Sequence, residues 1–211
     1  MLWETLKSRE IITQKFVFML PIILASSSPY RRELLNKLSL PFTCHSPDIN
    51  EAALQGEPPE DLVKRLALEK AKAVAINHPN ALIIASDQVA VLDGHVMTKP
   101  HTHENAIKQL TRSSGHTVRF LTSLCLLNSQ TNKHQLTTAP YSVEFLPLTS
   151  PQIEAYLIKE QPYQCAGSFK SEGLGITLFK CFEGKDPNSL IGLPLIELTR
   201  MMRNEGVEPL S

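Results

Sequence analysis

The apolar run Ile22-Ile23-Leu24-Ala25 passes without interruption into Ser26-Ser27-Ser28-Pro29, and that junction constrains the fold more than any other stretch of the chain. Four consecutive apolar residues suit a strand buried on both faces. Serine followed by proline then supplies a helix N-cap and a first helical residue with its φ preset. A strand that turns directly into a helix belongs to a sheet covered by helices, so an α/β or mixed α+β fold is predicted. The same run, behind Lys15 and Phe16 to Leu20, also has the order of a signal peptide, though it is too short to span a bilayer. The strand reading is preferred, because cleavage there would remove the element that positions the serines. Residues 1–18 are then an extension outside the core, or Met19 is the true initiator, and 19–211 form one domain.

Strand and helix signals mix along the remaining sequence. The pattern predicts a helix from Ser28-Pro29 with Leu34, Leu35 and Leu38 on its buried side, and a short strand at Phe42–His45. Pro58-Pro59 opens a second helix to about Asn77. Ala81–Ala85 reads as a buried strand that ends at Ser86-Asp87-Gln88, and Val89–Leu92 leads into the hairpin signal Asp93-Gly94. A third helix is expected from Thr102 to Arg112. β-rich segments follow at Val118–Leu127 and Tyr141–Leu148, joined by the polar stretch Asn128–Thr138. Ser150-Pro151 caps a short helix, Gly167–Gly175 forms a loop, Ile176–Cys181 a strand, and Leu190–Asn204 one last helix.

Charge excludes one class of partner. Lys plus Arg is 21 and Asp plus Glu is 21, so the basic excess of a duplex-binding protein is missing. Cys44, Cys125, Cys165 and Cys181 have no metal-finger spacing and read as reduced thiols of a cytoplasmic protein. His101 and His103 would share one face of a strand, but no third ligand lies near them in sequence.

Three groups of residues are candidates for chemistry. Ser26, Ser28, Arg31 and Arg32 bring hydroxyls and guanidiniums to a helix start, where free N–H groups attract anions, and so suit a phosphate chain. The same residues also describe a serine cap followed by a solvated basic turn. Asp87, at the carboxyl end of a strand, is suited to hold a divalent metal or to take a proton from water, or is a plain turn aspartate. The third group comprises Glu69-Lys70, Lys99-Pro100 and the glycine-flanked Ser168-Phe169-Lys170-Ser171-Glu172. Lone helical lysines are normally solvated, whereas the glycines admit close backbone approach to a ligand.

Together, Leu24 to Arg32, Ser86-Asp87-Gln88-Val89, Thr98-Lys99-Pro100, Cys165 to Gly173 and Gly192-Leu193-Pro194-Leu195 resemble the Maf family of nucleoside triphosphate pyrophosphatases from Met19 to the C-terminus. The resemblance implies a two-lobed fold like that of the inosine triphosphate pyrophosphatases, with a central mixed sheet and a cleft between lobes. It implies hydrolysis of a nucleoside triphosphate to the monophosphate and pyrophosphate with a divalent cation, Mg²⁺ or Mn²⁺. By motif, Ser26, Ser28, Arg31 and Arg32 would hold phosphates and Asp87 would accept the proton. Glu51, Lys70 and Lys99 would complete the polar wall, with Asp87 and Glu51 shared by the metal. Tyr30, Gln88 and Glu172 stand where the dTTP/UTP branch has other residues, and resemble the branch acting on 7-methyl-GTP. A methylated, positively charged purine would favour an aromatic face at Tyr30 and a carboxylate at Glu172. The alternatives are a dTTP/UTP enzyme and a nucleotide-sensing regulator, since some family members are named for inhibiting septum formation. Homodimerisation is implied by the resemblance alone, and neither a nucleic acid nor a membrane is an expected partner.

Overall fold

The computed structural model describes residues 20–210; the expectations for the extension 1–18, for Met19 and for a leader segment lie outside the described residues. The elements run β1 (Ile22–Leu24), α1 (Pro29–Asn36), β2 (Phe42–Cys44), α2 (Pro59–Ala75), β3 (Leu82–Leu92), β4 (His95–Met97), α3 (His103–Ser113), β5 (Thr117–Asn128), β6 (Lys133–Phe145), α4 (Ser150–Glu160), β7 (Phe179–Gly184), α5 (Pro187–Ile191) and α6 (Leu195–Asn204). They build one mixed sheet in the order β2-β1-β3-β5-β6-β7, with β4 hydrogen-bonded to β3. β1 is parallel to both β2 and β3, while the ladders from β3 to β7 are antiparallel. No described helix is long and apolar enough to cross a membrane.

The period-two alternation of the central strands sorts the core. Ile22, Leu24, Leu82 and Ile84 pack with α1 and α6 on one face. Ile23, Ala25, Ile83 and Ala85 pack with Ala67, Ala71 and Val74 of α2 on the other. Further along the same strands a second core forms, where Ala90, Leu92, Phe120 and Val143 meet Leu110 of α3 and Leu157 of α4. The two cores are the two lobes, and β3, β5 and β6 run through both.

Four expectations are corrected. The strand does not end at Ala85: β5 pairs β3 continuously from Leu82↔Asn128 to Val91↔Arg119, so Ser86, Asp87 and Gln88 lie in the middle of an unbroken strand. The polar stretch Asn128–Thr138 is mostly strand, because residues 133–138 pair with β5 and only a short turn remains. The last helix is two helices, separated at Gly192-Leu193-Pro194. Gly192 has φ 124°, outside helical geometry, and Pro194 has no N–H with which to extend a ladder. The final strand starts at Phe179, after a 3₁₀ segment over Leu174–Leu178.

One register detail opens the site. β1 covers the edge of β3 only as far as Leu24↔Ile84, and β4 takes up that edge from Ala90↔Met97. Between those positions no described strand lies on that edge of β3.

Candidate active site

A cleft of about 1100 Å³ occupies this gap. Ser26, Ser27, Ser28, Tyr30 and Arg31 line it from the β1–α1 junction, and Glu51 and Lys70 from the next loop and α2. Asp87 and Gln88 of β3, Lys99 after β4, and Cys165 and Glu172 of the glycine loop complete it. Of the candidate residues, Glu69, Ser168 and Lys170 do not line the cleft, and neither does Arg32. It lines a shallow depression with Asn36 and Phe42 beside the edge strand β2. Each helical residue is turned by about 100° from the one before it, so the arc of α1 that brings Tyr30 and Arg31 to the cleft leaves Arg32 on another side.

The junction is ordered by its own hydroxyls. Ser28 is the N-cap, its Oγ accepting the Arg31 N–H at 3.4 Å, and Ser26 Oγ accepts the Ser28 N–H at 3.1 Å. Both hydroxyl protons are left for an acceptor at the helix start, where the dipole favours negative charge. Arg31 Nε donates to the Gly192 carbonyl at 2.9 Å, and its Nη1 approaches Ser26 Oγ at 3.5 Å. Burial pushes the guanidinium pKa down from its ordinary value, against the pull of the Asp87 and Glu51 carboxylates.

Lys70 departs from the solvated norm. It is 5% exposed on the inner side of α2, and its Nζ lies 2.6 Å from Asp87 Oδ1 and 2.9 Å from Glu51 Oε1. One ammonium thus gathers two carboxylates from distant segments. Arg65 supports the loop that carries Glu51, donating to Glu57 at 2.6 and 2.8 Å and to the Ala52 carbonyl at 3.0 Å. Among the described residues no group of three or more His, Cys, Asp or Glu gathers to hold a metal alone. The carboxylate oxygens of Asp87 and Glu51 are of the hard type that takes a divalent cation together with phosphate oxygens and water. His103 does not sit on a strand: it begins α3, with its ring between Tyr163 Oη and Glu154.

The wall opposite is aromatic and acidic. The Tyr30 hydroxyl is pushed up to about 12, first by burial and then by Cys165, Glu172 and Glu160. Cys165 Sγ lies 3.8 Å from its oxygen. Lys170 turns away from the cleft, donating to the Glu160 carbonyl at 3.2 Å and pairing with its carboxylate. The loop glycines also have a reason other than ligand approach. A Cβ on Gly175 would lie 2.2 Å from the Lys170 carbonyl oxygen, so the loop folds tightly on itself.

What the sequence reading missed is the corner between α5 and α6. Asp186, 4% exposed, accepts from the Asn188 N–H at 2.9 Å and from the Ile196 N–H at 2.8 Å, capping both helices. The corner then presents the Gly192 carbonyl to Arg31 Nε and to Ser86 Oγ, each at 2.9 Å. The signal was the Gly-x-Pro interruption in an otherwise helical pattern.

Residues 21–205 match the family model described as Maf-like protein. The chain is similar to a 7-methyl-GTP pyrophosphatase of Pseudomonas savastanoi pv. phaseolicola, at 59% identity over 88% of this chain and 97% of the relative. It is also similar to one of Methylobacillus flagellatus, at 56% over 89% and 98%. A looser likeness is to the solved Staphylococcus aureus Ham1 protein, with a TM-score of 0.45 and 16% identity over 60% of this chain and 72% of that one.

Proposed function

The chain belongs to the Maf-like protein family, and on that premise we propose that it hydrolyses 7-methyl-GTP to 7-methyl-GMP and pyrophosphate. One observation carries the chemistry: the anion-binding start of α1 and the Lys70-linked pair Asp87 and Glu51 line the same cleft. The names of relatives at 56–59% identity support the substrate.

In this reading Ser26, Ser28 and Arg31 grip the phosphate chain, with Lys99 at the cleft's other lip. Water adds to the α-phosphorus, the bond to the bridging oxygen breaks, and pyrophosphate leaves with the electron pair. Asp87 accepts the water's proton, and Lys70 keeps that carboxylate aimed and charge-balanced. Asp87 and Glu51 would hold a divalent cation, which when bound neutralises charge on the phosphate oxygens. Tyr30, Gln88 and Glu172 form the base-selecting wall. A positively charged methylated purine gains from the Tyr30 ring and the Glu172 carboxylate. The four cysteines are unpaired, which supports a cytoplasmic setting, and homodimerisation belongs to the same proposal from family resemblance.

The test is pyrophosphate release from dTTP, UTP, CTP, GTP and 7-methyl-GTP with Mg²⁺ or Mn²⁺, beside Asp87→Ala and Glu172→Gln. Preference for 7-methyl-GTP, abolished by Asp87→Ala and weakened by Glu172→Gln, is the expected result. Preference for dTTP or UTP keeps the mechanism and removes the substrate; binding without turnover turns the reading to a nucleotide sensor.

A further inference from the structure

Gln88 faces the cleft, yet its amide nitrogen is committed elsewhere. Its two N–H groups are shared among Thr122 Oγ1 at 2.8 Å and the carbonyls of Ser189 and Leu190 at 2.9 and 3.0 Å. Two of these acceptors are backbone carbonyls, which cannot donate, so the amide has only one orientation: nitrogen inward, oxygen left for the cleft. Thr122, opposite Gln88 in the β3–β5 ladder and fully buried, accepts from Gln88 and donates to the Ser189 carbonyl at 2.8 Å. Only a hydroxyl of that size does both. Ser189 sits one turn before Gly192, whose carbonyl holds Arg31, and Asp186 ties the whole corner down.

We propose that Thr122 is a positioning residue for nucleobase selection: where the two carbonyls set which way the Gln88 amide faces, Thr122 holds that amide in place, its oxygen toward the base, and joins it to the corner that also holds Arg31. The inference rests on the pyrophosphatase reading above. An outward oxygen is an acceptor beside a base that carries positive charge and N–H donors. An outward NH₂ would meet the same base with the wrong polarity. Because Gln88 and Arg31 both bond the segment 189–192, selection of the base and grip of the phosphates are set from one piece of backbone.

Thr122→Val keeps the shape and removes both bonds, whereas Thr122→Ser keeps them. The expected result is a fall of about fivefold to tenfold in the ratio of kcat/KM for 7-methyl-GTP over GTP in Thr122→Val, restored in Thr122→Ser. A second readout needs no turnover. The Gln88 side-chain amide, identified in ¹⁵N NMR by its loss in Gln88→Thr, should exchange slowly in the wild type and quickly in Thr122→Val. An unchanged ratio in a folded Thr122→Val protein, or a freely exchanging Gln88 amide in the wild type, overturns the proposal. If the wild type prefers another nucleotide or turns none over, the substrate reading fails, and the proposal is then decided by the amide exchange alone.

Discussion

Lys70 shows how much a single buried charge carries. Removing it as Lys70→Met leaves Asp87, itself 7% exposed, without its cation. The expected cost is about 3–5 kcal/mol in denaturant unfolding. Lys70→Met with Asp87→Leu should recover most of that loss, and a double variant no more stable than the single one would show that the pair is not a unit. Arg31 and Arg32 make a second contrast. Arg31→Ala should lower kcat/KM by about 10- to 100-fold, since a charge-assisted contact to phosphate is lost, while Arg32→Ala stays near wild type. Equal effects would contradict the placement of Arg32 outside the cleft. At this scale the serine cap was legible, because serine before proline is a helix start, and so was the meeting of Asp87 with that cap in one cleft. The burial of Lys70 was not, because it depends on Glu51 and Asp87 converging from 19 residues before and 17 after it.

Among the elements, two of the four that misled a linear reading, β3 and the last helix, have limits set by neighbours. β3 looks interrupted at Ser86-Asp87-Gln88, but β5 pairs with it there through the matching polar pair Thr122-Ser123. Polarity in a strand marks a break only when no partner supplies the ladder. The α5–α6 corner likewise depends on Asp186. Asp186→Ala should destabilise the protein by about 1–2 kcal/mol, because the N–H groups at two helix starts lose their acceptor, as read by denaturation midpoint at constant m. A loss within error of zero would mean that the caps are replaced. The loop before α2 is held by Glu57, whose carboxyl is lowered from 4.5 to about 2, chiefly by Arg65 and then by the Leu54 N–H. A carboxyl depressed on folding adds stability above its unfolded value and loses it as pH falls through the folded one. The stability difference between wild type and Glu57→Gln should therefore be constant at neutral pH and close between 4.5 and about 2. A difference that ignores pH across that window would contradict the clasp.

For the whole molecule, the α/β or α+β class followed from the mixing of strand and helix signals along the chain, and the central mixed sheet from the family resemblance. The division into two lobes was legible only through the family resemblance, since it arises where long strands outrun the helices that cover them. A ligand that bridges the cleft should stabilise both cores together. At a hundredfold excess over Kd, a non-hydrolysable 7-methyl-GTP analogue is expected to add about 2.7 kcal/mol, with a single melting transition moved upward. Two transitions, of which one moves, would show that the lobes unfold independently.

The three strands that cross between the cores have a consequence of their own. Because β3, β5 and β6 are hydrogen-bonded to one another through both lobes, the lobes have no hinge: bending them apart would tear two ladders at once. On the proposed reading a nucleotide is then measured against a nearly rigid frame, charged tail at the start of α1 and base beside Gln88 of β3, while the surface loops carrying Glu51, Lys99 and Glu172 make the fine adjustment.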